Sequence, residues 1–109
     1  MKIELVGIVA SPEKCEELGL ALSSLLGQTQ MKPGCLSCLL YQDWSDANVL
    51  YLESRWETPK DLIHHIRSDA YKRLLLLMEL GVEPPRIEFL SVSEVRGLDL
   101  IEATRHGQA

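Results

Sequence analysis

Four short apolar stretches with turn residues between them predict four strands along the chain. They are rich in Ile, Val, Leu and Cys, and Gly, Pro, Asp or Asn residues separate them, which is typical of strands. The predicted strands cover residues 3–10, 35–43, 49–56 and 86–96. A short polar segment at residues 45–48 joins the second and third strands, so these two are expected to form a hairpin.

The segment after the first strand has the pattern of an amphipathic helix. Ser11 and Pro12 are a typical cap and first turn. Apolar residues then recur at helical spacing over residues 15–26, which predicts one buried face. We expect Gly27 to end this helix, because glycine commonly follows the last helical turn.

Two further helices are predicted between the third and fourth strands. Thr58 precedes a proline and is followed three residues later by Asp61, as in a capping box. Ser68 is a second cap, and the helix that it begins is expected to close at Gly81. Residues 98–105 predict a short helix after the last strand.

The order of these elements is β-α-β-β-α-β, the pattern of a ferredoxin-like α+β domain with an antiparallel sheet. Its helices can cover only one face of the sheet, yet the strands are apolar on both faces. In the first strand, for example, one face has Ile3, Leu5 and Val9 and the other has Val6, Ile8 and Ala10. An apolar face left in water would be an oversized exposed patch. We therefore expect a homodimer in which two sheets pack into an eight-stranded α+β barrel.

Length and charge narrow the possible partners. The chain has 109 residues, which predicts a single domain over 1–109, with 98–109 as a carboxyl-terminal extension. Leu98, Leu100 and Ile101 could pack on the partner subunit, and a frayed tail is the alternative. A net charge of -5 without a basic cluster argues against nucleic acid.

Nothing in the chain predicts contact with a membrane or an oxidising compartment. The longest apolar run, residues 74–78, is too short to span a bilayer. The first ten residues have none of the features of a secretory signal. Three cysteines, an odd number, favour a reducing compartment. We expect a cytoplasmic protein.

Cys35 and Cys38 have the spacing of redox or metal-binding motifs. Redox pairs with this spacing lie at helix amino termini, whereas these two residues lie within a predicted strand. Residues three apart on a regular strand face opposite sides, which excludes an unstrained disulfide. A zinc site would need four converging ligands. We expect buried thiols and no metal.

Several segments, in order, resemble the antibiotic biosynthesis monooxygenase (ABM) family. They are residues 31–36 with 40–43, the run VLYLESRWE at 49–57, residues 62–71 with a His nine positions after Trp56, and residues 90–94. The resemblance implies a dimeric α+β barrel with a pocket between sheet and helices in each subunit. Enzymes of the family oxidise quinols, anthrones and related aromatics with O2, without metal or flavin. One branch degrades haem, and other members have no established activity.

The resemblance places the candidate catalytic residue at His65, as a base that removes a phenolic proton near neutral pH. Trp56 could stack on a flat substrate, and Tyr71 could donate a hydrogen bond to a substrate oxygen. The other candidate pocket residues are Met31, Cys38, Leu40 and Leu52. Each of these side chains could instead be an ordinary core residue, at the core edge with its hydroxyl in water in the case of Tyr71. A catalytic site predicts a closed cavity that touches His65 and Trp56.

Three functions follow from these observations. The first is a cofactor-independent monooxygenase that acts on a small quinol or electron-rich aromatic. The second is a non-catalytic dimeric module that binds a small ligand or has a structural role. The third is haem binding or degradation, which is disfavoured because the first strand has no Asn. The Asn that anthrone oxygenases have ahead of the Trp is also missing, since that region has Leu50, Leu52 and Ser54.

Overall fold

The computed structural model describes residues 1–107 and has four strands and four helices. The elements are β1 (Lys2–Val9), α1 (Cys15–Gln30), β2 (Cys35–Gln42), β3 (Val49–Trp56), α2 (Pro59–Ile66), α3 (Asp69–Met78), β4 (Arg86–Ser91) and α4 (Leu98–Arg105). The strands form one antiparallel sheet in the order β2-β3-β1-β4. The predicted ferredoxin-like α+β fold is confirmed. Of the extension predicted over 98–109, the last two residues lie outside the described part of the chain.

The first helix is longer than predicted, because α1 continues through Gly27 to Gln30. Leu25 and Thr29 on this last part are both buried, so packing outweighs the helix-ending tendency of glycine. The hydroxyl of Thr29 also donates a hydrogen bond to the backbone oxygen of Leu25 at 2.9 Å.

The last strand is shorter than predicted, because β4 ends at Ser91 instead of residue 96. Ser91 pairs with Lys2, the first residue of β1. After Ser91, one further hydrogen bond runs from the Val92 amide to the Met1 backbone oxygen. The end of β4 therefore depends on its pairing with β1, which the local pattern of residues 92–96 does not reveal.

The caps of α2 and α3 confirm the sequence signals. Thr58 and Asp61 form a reciprocal capping box at the start of α2. The Ser68 side chain accepts a hydrogen bond from the Tyr71 amide and caps α3. Arg67 and Ser68 separate the two helices as the last cap of α2 and the first cap of α3. His65 on α2 and Tyr71 on α3 can then face the same part of the sheet.

The core lies between the sheet and the helices α1 and α3. Even-numbered residues of β1 and β3 point into it, with the apolar side chains of both helices opposite them. Its central members are Val6, Ile8, Leu18, Leu22, Cys38, Leu50, Leu52, Leu74 and Met78. Glu4 and Ser54 are paired residues on this same face, one step beyond Val6 and Leu52. The even-numbered face therefore changes from apolar to polar at one end.

A β-bulge changes the expected arrangement of the two nearby cysteines. Cys35 pairs with Trp56 and Cys38 pairs with Ser54, with an irregularity between Cys35 and Ser37. Trp56 and Ser54 are two residues apart and share a face, so both thiols lie on the buried side. The prediction that they face opposite sides is wrong, because the extra residue of a bulge shifts the alternation.

The opposite face of the sheet and the last helix are not covered. Leu39 and Tyr41 on this face are exposed, and α4 has no buried residue. Leu98, Leu100 and Ile101 on α4 are all exposed. Within residues 1–107, no helix has both the length and the apolar character needed to cross a membrane.

Candidate functional site

Five side chains with polar groups meet at the polar end of the core. Glu4 on β1 is 1% exposed, and His65 on α2 is 4% exposed. Ser54 and Trp56 on β3 and Tyr71 on α3 are buried beside them. We call this group the Glu4 cluster: Glu4, Ser54, Trp56, His65 and Tyr71. It brings together residues from two strands and two helices.

The Glu4 carboxylate is the acceptor at the centre of the cluster. The Tyr71 hydroxyl donates to Oε2 at 2.5 Å, and the Ser54 hydroxyl donates to Oε1 at 3.3 Å. Trp56 Nε1 donates to the Ser54 oxygen at 2.9 Å, which orients that hydroxyl. A buried carboxylate is costly unless hydrogen bonds replace its water, and here they do.

His65 lies against two aromatic rings. The Trp56 ring stacks on it with 4.4 Å between centroids and 23° between planes. Tyr71 is nearly perpendicular to it, at 5.1 Å and 88°. Its Nε2 atom is 3.5 Å from Glu4 Oε1. These contacts hold the imidazole in one orientation.

Lys32, in the turn before β2, reaches the other nitrogen of the imidazole. Lys32 Nζ is 2.9 Å from His65 Nδ1. An ammonium has donors only, so Nδ1 must accept this hydrogen bond. The neutral imidazole then has its proton on Nε2, the nitrogen that lies 3.5 Å from Glu4 Oε1. The tautomer follows from the donor and acceptor capacity of the two neighbours.

Lys32 also links the site to the loop between α2 and α3. Its Nζ donates to the Ser68 hydroxyl at 2.7 Å, and that hydroxyl donates to the His65 backbone oxygen at 2.6 Å. Lys32 is only partly buried, whereas His65 is almost fully buried. Burial lowers the pKa of Lys32. A continuous chain of contacts therefore runs from a half-buried ammonium through the imidazole to a buried carboxylate.

The Tyr71 hydroxyl and the thiols of Cys35 and Cys38 stay protonated near neutral pH. Burial, with the hydrogen bond to Glu4, raises the pKa of Tyr71, so its hydroxyl remains a donor. Burial also raises the pKa of Cys38 to about 12 and raises that of Cys35. Neither thiol is then a ready nucleophile, because the thiolate is the reactive form.

The structure brings together three of the residues singled out from the sequence: Trp56, His65 and Tyr71. Cys38 and Leu52 belong to the apolar core, and Leu40 packs against it. Met31 is 86% exposed, so its side chain lies on the surface, away from the Glu4 cluster.

Three cavities among the described residues lie away from the Glu4 cluster. One of about 540 Å³ opens between the start of α1 and the β2–β3 hairpin, with Cys15, Gly19, Leu40 and Leu50 in its wall. Two others, of about 310 and 300 Å³, lie between α1 and α3. None of these three includes His65 or Trp56, so the expected cavity is not among them. The space beside His65 is filled by Trp56 and Tyr71.

The sequence did not predict that four polar residues lie in the hydrogen-bond network around His65. They are Glu4, Lys32, Ser54 and Ser68, the last of which was predicted only as a helix cap. Glu4 did carry a signal, because it is a charged residue on a strand face that otherwise has Val6, Ile8 and Ala10. A charge at such a position needs a buried partner. Lys32 had no comparable signal, since lysine in a turn is usually solvated.

A comparison with the sequence profiles of protein families shows to which family this chain belongs. The profile of the antibiotic biosynthesis monooxygenase family matches residues 3–75. The chain belongs to this family. The match extends from β1 into α3, so it contains the whole Glu4 cluster together with Lys32 and Ser68. It leaves out β4 and α4.

Solved structures similar to this ABM protein support the same fold. A candidate antibiotic biosynthesis monooxygenase from Deinococcus radiodurans is 21% identical, with 89% of this chain and 97% of that chain covered and a TM-score of 0.81. A conserved protein from Methanosarcina mazei is 28% identical, with coverage of 83% and 91% and a TM-score of 0.75. A Mycobacterium tuberculosis protein is 20% identical, with coverage of 89% and 100% and a TM-score of 0.77. No curated protein matches the sequence.

Proposed function

We propose that this ABM protein is a cofactor-independent monooxygenase that oxidises a small quinol or another electron-rich aromatic with O2. One observation carries the proposal: His65 is held between the Glu4 carboxylate at Nε2 and Lys32 at Nδ1. A carboxylate close to one imidazole nitrogen stabilises the imidazolium and leaves the other nitrogen as the base. Nδ1 is therefore the nitrogen that accepts the substrate proton.

The reaction begins when a phenolic hydroxyl transfers its proton to His65 Nδ1. The resulting anion is electron-rich and can pass an electron to O2. One oxygen atom of O2 then enters the ring, and the other leaves as water with two hydrogens of the substrate. Imidazole is suited to the first step because one ring nitrogen can accept a proton while the other keeps its own.

Trp56 and Tyr71 position the base in this mechanism. Trp56 covers one face of the imidazole, and the Tyr71 hydroxyl fixes the Glu4 carboxylate. Since these rings fill the space around His65, the substrate approaches the Nδ1 edge, where Lys32 is only partly buried. It must displace the Lys32 side chain from His65 in order to reach Nδ1.

The test measures the rate of oxygen consumption with a panel of naphthoquinols and anthrones. It compares the native protein with the His65→Ala variant. General-base loss should lower the rate by roughly 10²- to 10⁴-fold. The matched control is His64→Ala, because His64 is the exposed neighbour on the same helix and should leave the rate unchanged. Equal rates for the native protein and His65→Ala would exclude His65 as the base.

A second candidate is a non-catalytic module that binds a small ligand. The cavity of about 540 Å³ favours it, since this volume is within the range of small-molecule sites and Gln42 and Asn48 supply polar groups in its wall. The same panel separates the two functions. Binding without oxygen consumption, lost in Leu50→Trp but kept in His65→Ala, would favour the module.

The uncovered sheet face supports a homodimer in which a second copy packs on it. Leu39, Tyr41 and Leu90 are exposed on this face, and Ile3 and Leu5 are only partly buried. Arg55 pairs with Glu53 at 2.7 Å on the same face, and Tyr41 donates to Glu53 at 3.0 Å. The charges are thus already paired, so a mostly apolar surface remains for a partner.

A cytoplasmic location fits the state of the cysteines. Cys15, Cys35 and Cys38 are all free thiols, as expected in a reducing compartment. The test is fractionation of cells that produce the full chain.

A further inference from the structure

Lys32 has an unusual set of hydrogen-bond partners for a cation. Its Nζ contacts His65 Nδ1 and the Ser68 hydroxyl, and both of these are neutral groups. A partly buried ammonium is normally paired with a carboxylate or another anion. Within residues 1–107, Lys32 therefore has hydrogen bonds but no acidic side chain as a direct partner.

The ionisable groups that act on the Lys32 ammonium lie on β1, α3 and β2. Glu4 on β1 attracts the ammonium from a distance, beyond His65, and Arg73 on α3 opposes it. Cys35 and Cys38 on β2 are kept protonated by burial, which raises the pKa of each. Burial lowers the pKa of Lys32 more than these neighbours raise it. The positive charge of Lys32 is therefore not balanced by an anion in direct contact, so the site can accept one from a ligand.

We propose that Lys32 binds the deprotonated hydroxyl oxygen of the aromatic substrate, so that the site selects phenols and hydroxyquinones whose hydroxyl is ionised in the bound state. The proposal rests on the proposed function, because it names the group that receives the anion produced by His65. It makes Lys32 a catalytic residue that contacts the substrate.

The exchange of partners follows from the geometry at Nδ1. His65 Nδ1 cannot take a proton while it accepts the hydrogen bond of Lys32, so the ammonium must move first. The substrate hydroxyl then gives its proton to Nδ1, and its oxygen becomes an anion. Lys32 stays protonated and contacts this oxygen, while Ser68 remains within reach of the ammonium. The overall charge of the site and substrate does not change.

The test compares two probes that differ in charge. The first, 2-hydroxy-1,4-naphthoquinone, is an anion at neutral pH, and the second, 2-methoxy-1,4-naphthoquinone, is uncharged. A charge-assisted hydrogen bond in a partly buried site should make the native protein bind the anion roughly 10- to 100-fold more tightly. Lys32→Met should remove this preference by weakening the binding of the anionic probe alone. Lys32→Arg should keep most of the preference.

Matched variants separate this effect from a general change in the fold. Lys60→Met removes an exposed lysine at the start of α2 and should keep the preference. Lys32→Gln is the second neutral variant, for use if the unfolding transition of Lys32→Met is not cooperative. A native protein that binds both probes equally, or a neutral Lys32 variant that keeps the preference, would overturn the role of Lys32 but not the proposed function. Binding of neither probe would also overturn the role of Lys32, whereas the proposed function is judged separately by the oxygen consumption of the native protein.

Discussion

Glu4 on β1 and His65 on α2 face each other in the buried end of the core, with 3.5 Å between Glu4 Oε1 and His65 Nε2. Each has other partners: Tyr71 and Ser54 bind the carboxylate, and Lys32 binds the imidazole. Because these residues share partners, the effects of changing them should depend on one another. Four predictions follow from the site and from the uncovered sheet face.

The first prediction concerns the coupling between Glu4 and Tyr71. Glu4→Gln and Tyr71→Phe each disturb the same buried bond of 2.5 Å, so their effects on the free energy of unfolding should not add. A double-mutant cycle measured by urea denaturation should give a coupling of about 1–3 kcal/mol. The control cycle uses the exposed pair Asp69 and Lys72, 3.6 Å apart, for which we expect about 0–1 kcal/mol. Additive effects at Glu4 and Tyr71 would mean that the bond contributes little.

A second prediction separates the two roles of Trp56. Trp56→Phe keeps an aromatic ring against His65 but loses the hydrogen bond from Nε1 to Ser54. Its smaller ring also leaves a void in a fully buried position, so the protein should lose about 2–4 kcal/mol of stability. Trp44→Phe is the control, because Trp44 is fully exposed and its change should stay within about 0.5 kcal/mol. Similar losses in both variants would contradict the structure.

The third prediction is the response of stability to alkaline pH. The pKa of Tyr71 is raised in the folded protein, first by burial and then by the bond to Glu4. The unfolded chain releases the tyrosine proton near pH ~10, while the folded chain keeps it. The contribution of Tyr71 is therefore fully present below that pH and is lost as the pH rises beyond it.

Chemical denaturation between neutral and strongly alkaline pH checks this sign. Tyr71→Phe has no hydroxyl to titrate, so its stability should fall less steeply in the alkaline range than that of the native protein. Cys38 and Tyr41, whose pKa values are also raised, remain in both proteins, so the difference in slope reports Tyr71 alone. Identical slopes would show that the fold does not protect this hydroxyl.

The fourth prediction concerns association through the sheet. Leu39→Glu places a charge on the uncovered face, where Leu39 is 44% exposed, and should shift a dimer toward the monomer. Leu76→Glu makes the same change on α3, where Leu76 is 62% exposed, and should leave association through the sheet unchanged. Sedimentation velocity over a range of concentrations measures the effect. A native monomer at all concentrations would exclude the barrel.

The helix and strand pattern of this chain was accessible from local chemistry. The hairpin around residues 45–48, the Thr58 and Asp61 capping box and the Ser68 cap depend on residues close together in sequence. The errors occurred where a distant contact decides the outcome. The end of β4 depends on β1, and the length of α1 depends on the sheet beneath Leu25 and Thr29.

The sequence by itself determined the ferredoxin-like order of elements, the apolar character of both sheet faces and the resemblance that singled out Trp56, His65 and Tyr71. Only the tertiary structure decided that Glu4 and Lys32 contact the two sides of His65, and that the Leu36 bulge places both nearby thiols on the buried face. The physical reason is that periodicity reports the face on which a side chain lies. Which polar groups meet depends on packing between a strand, a helix and a turn that are far apart along the chain.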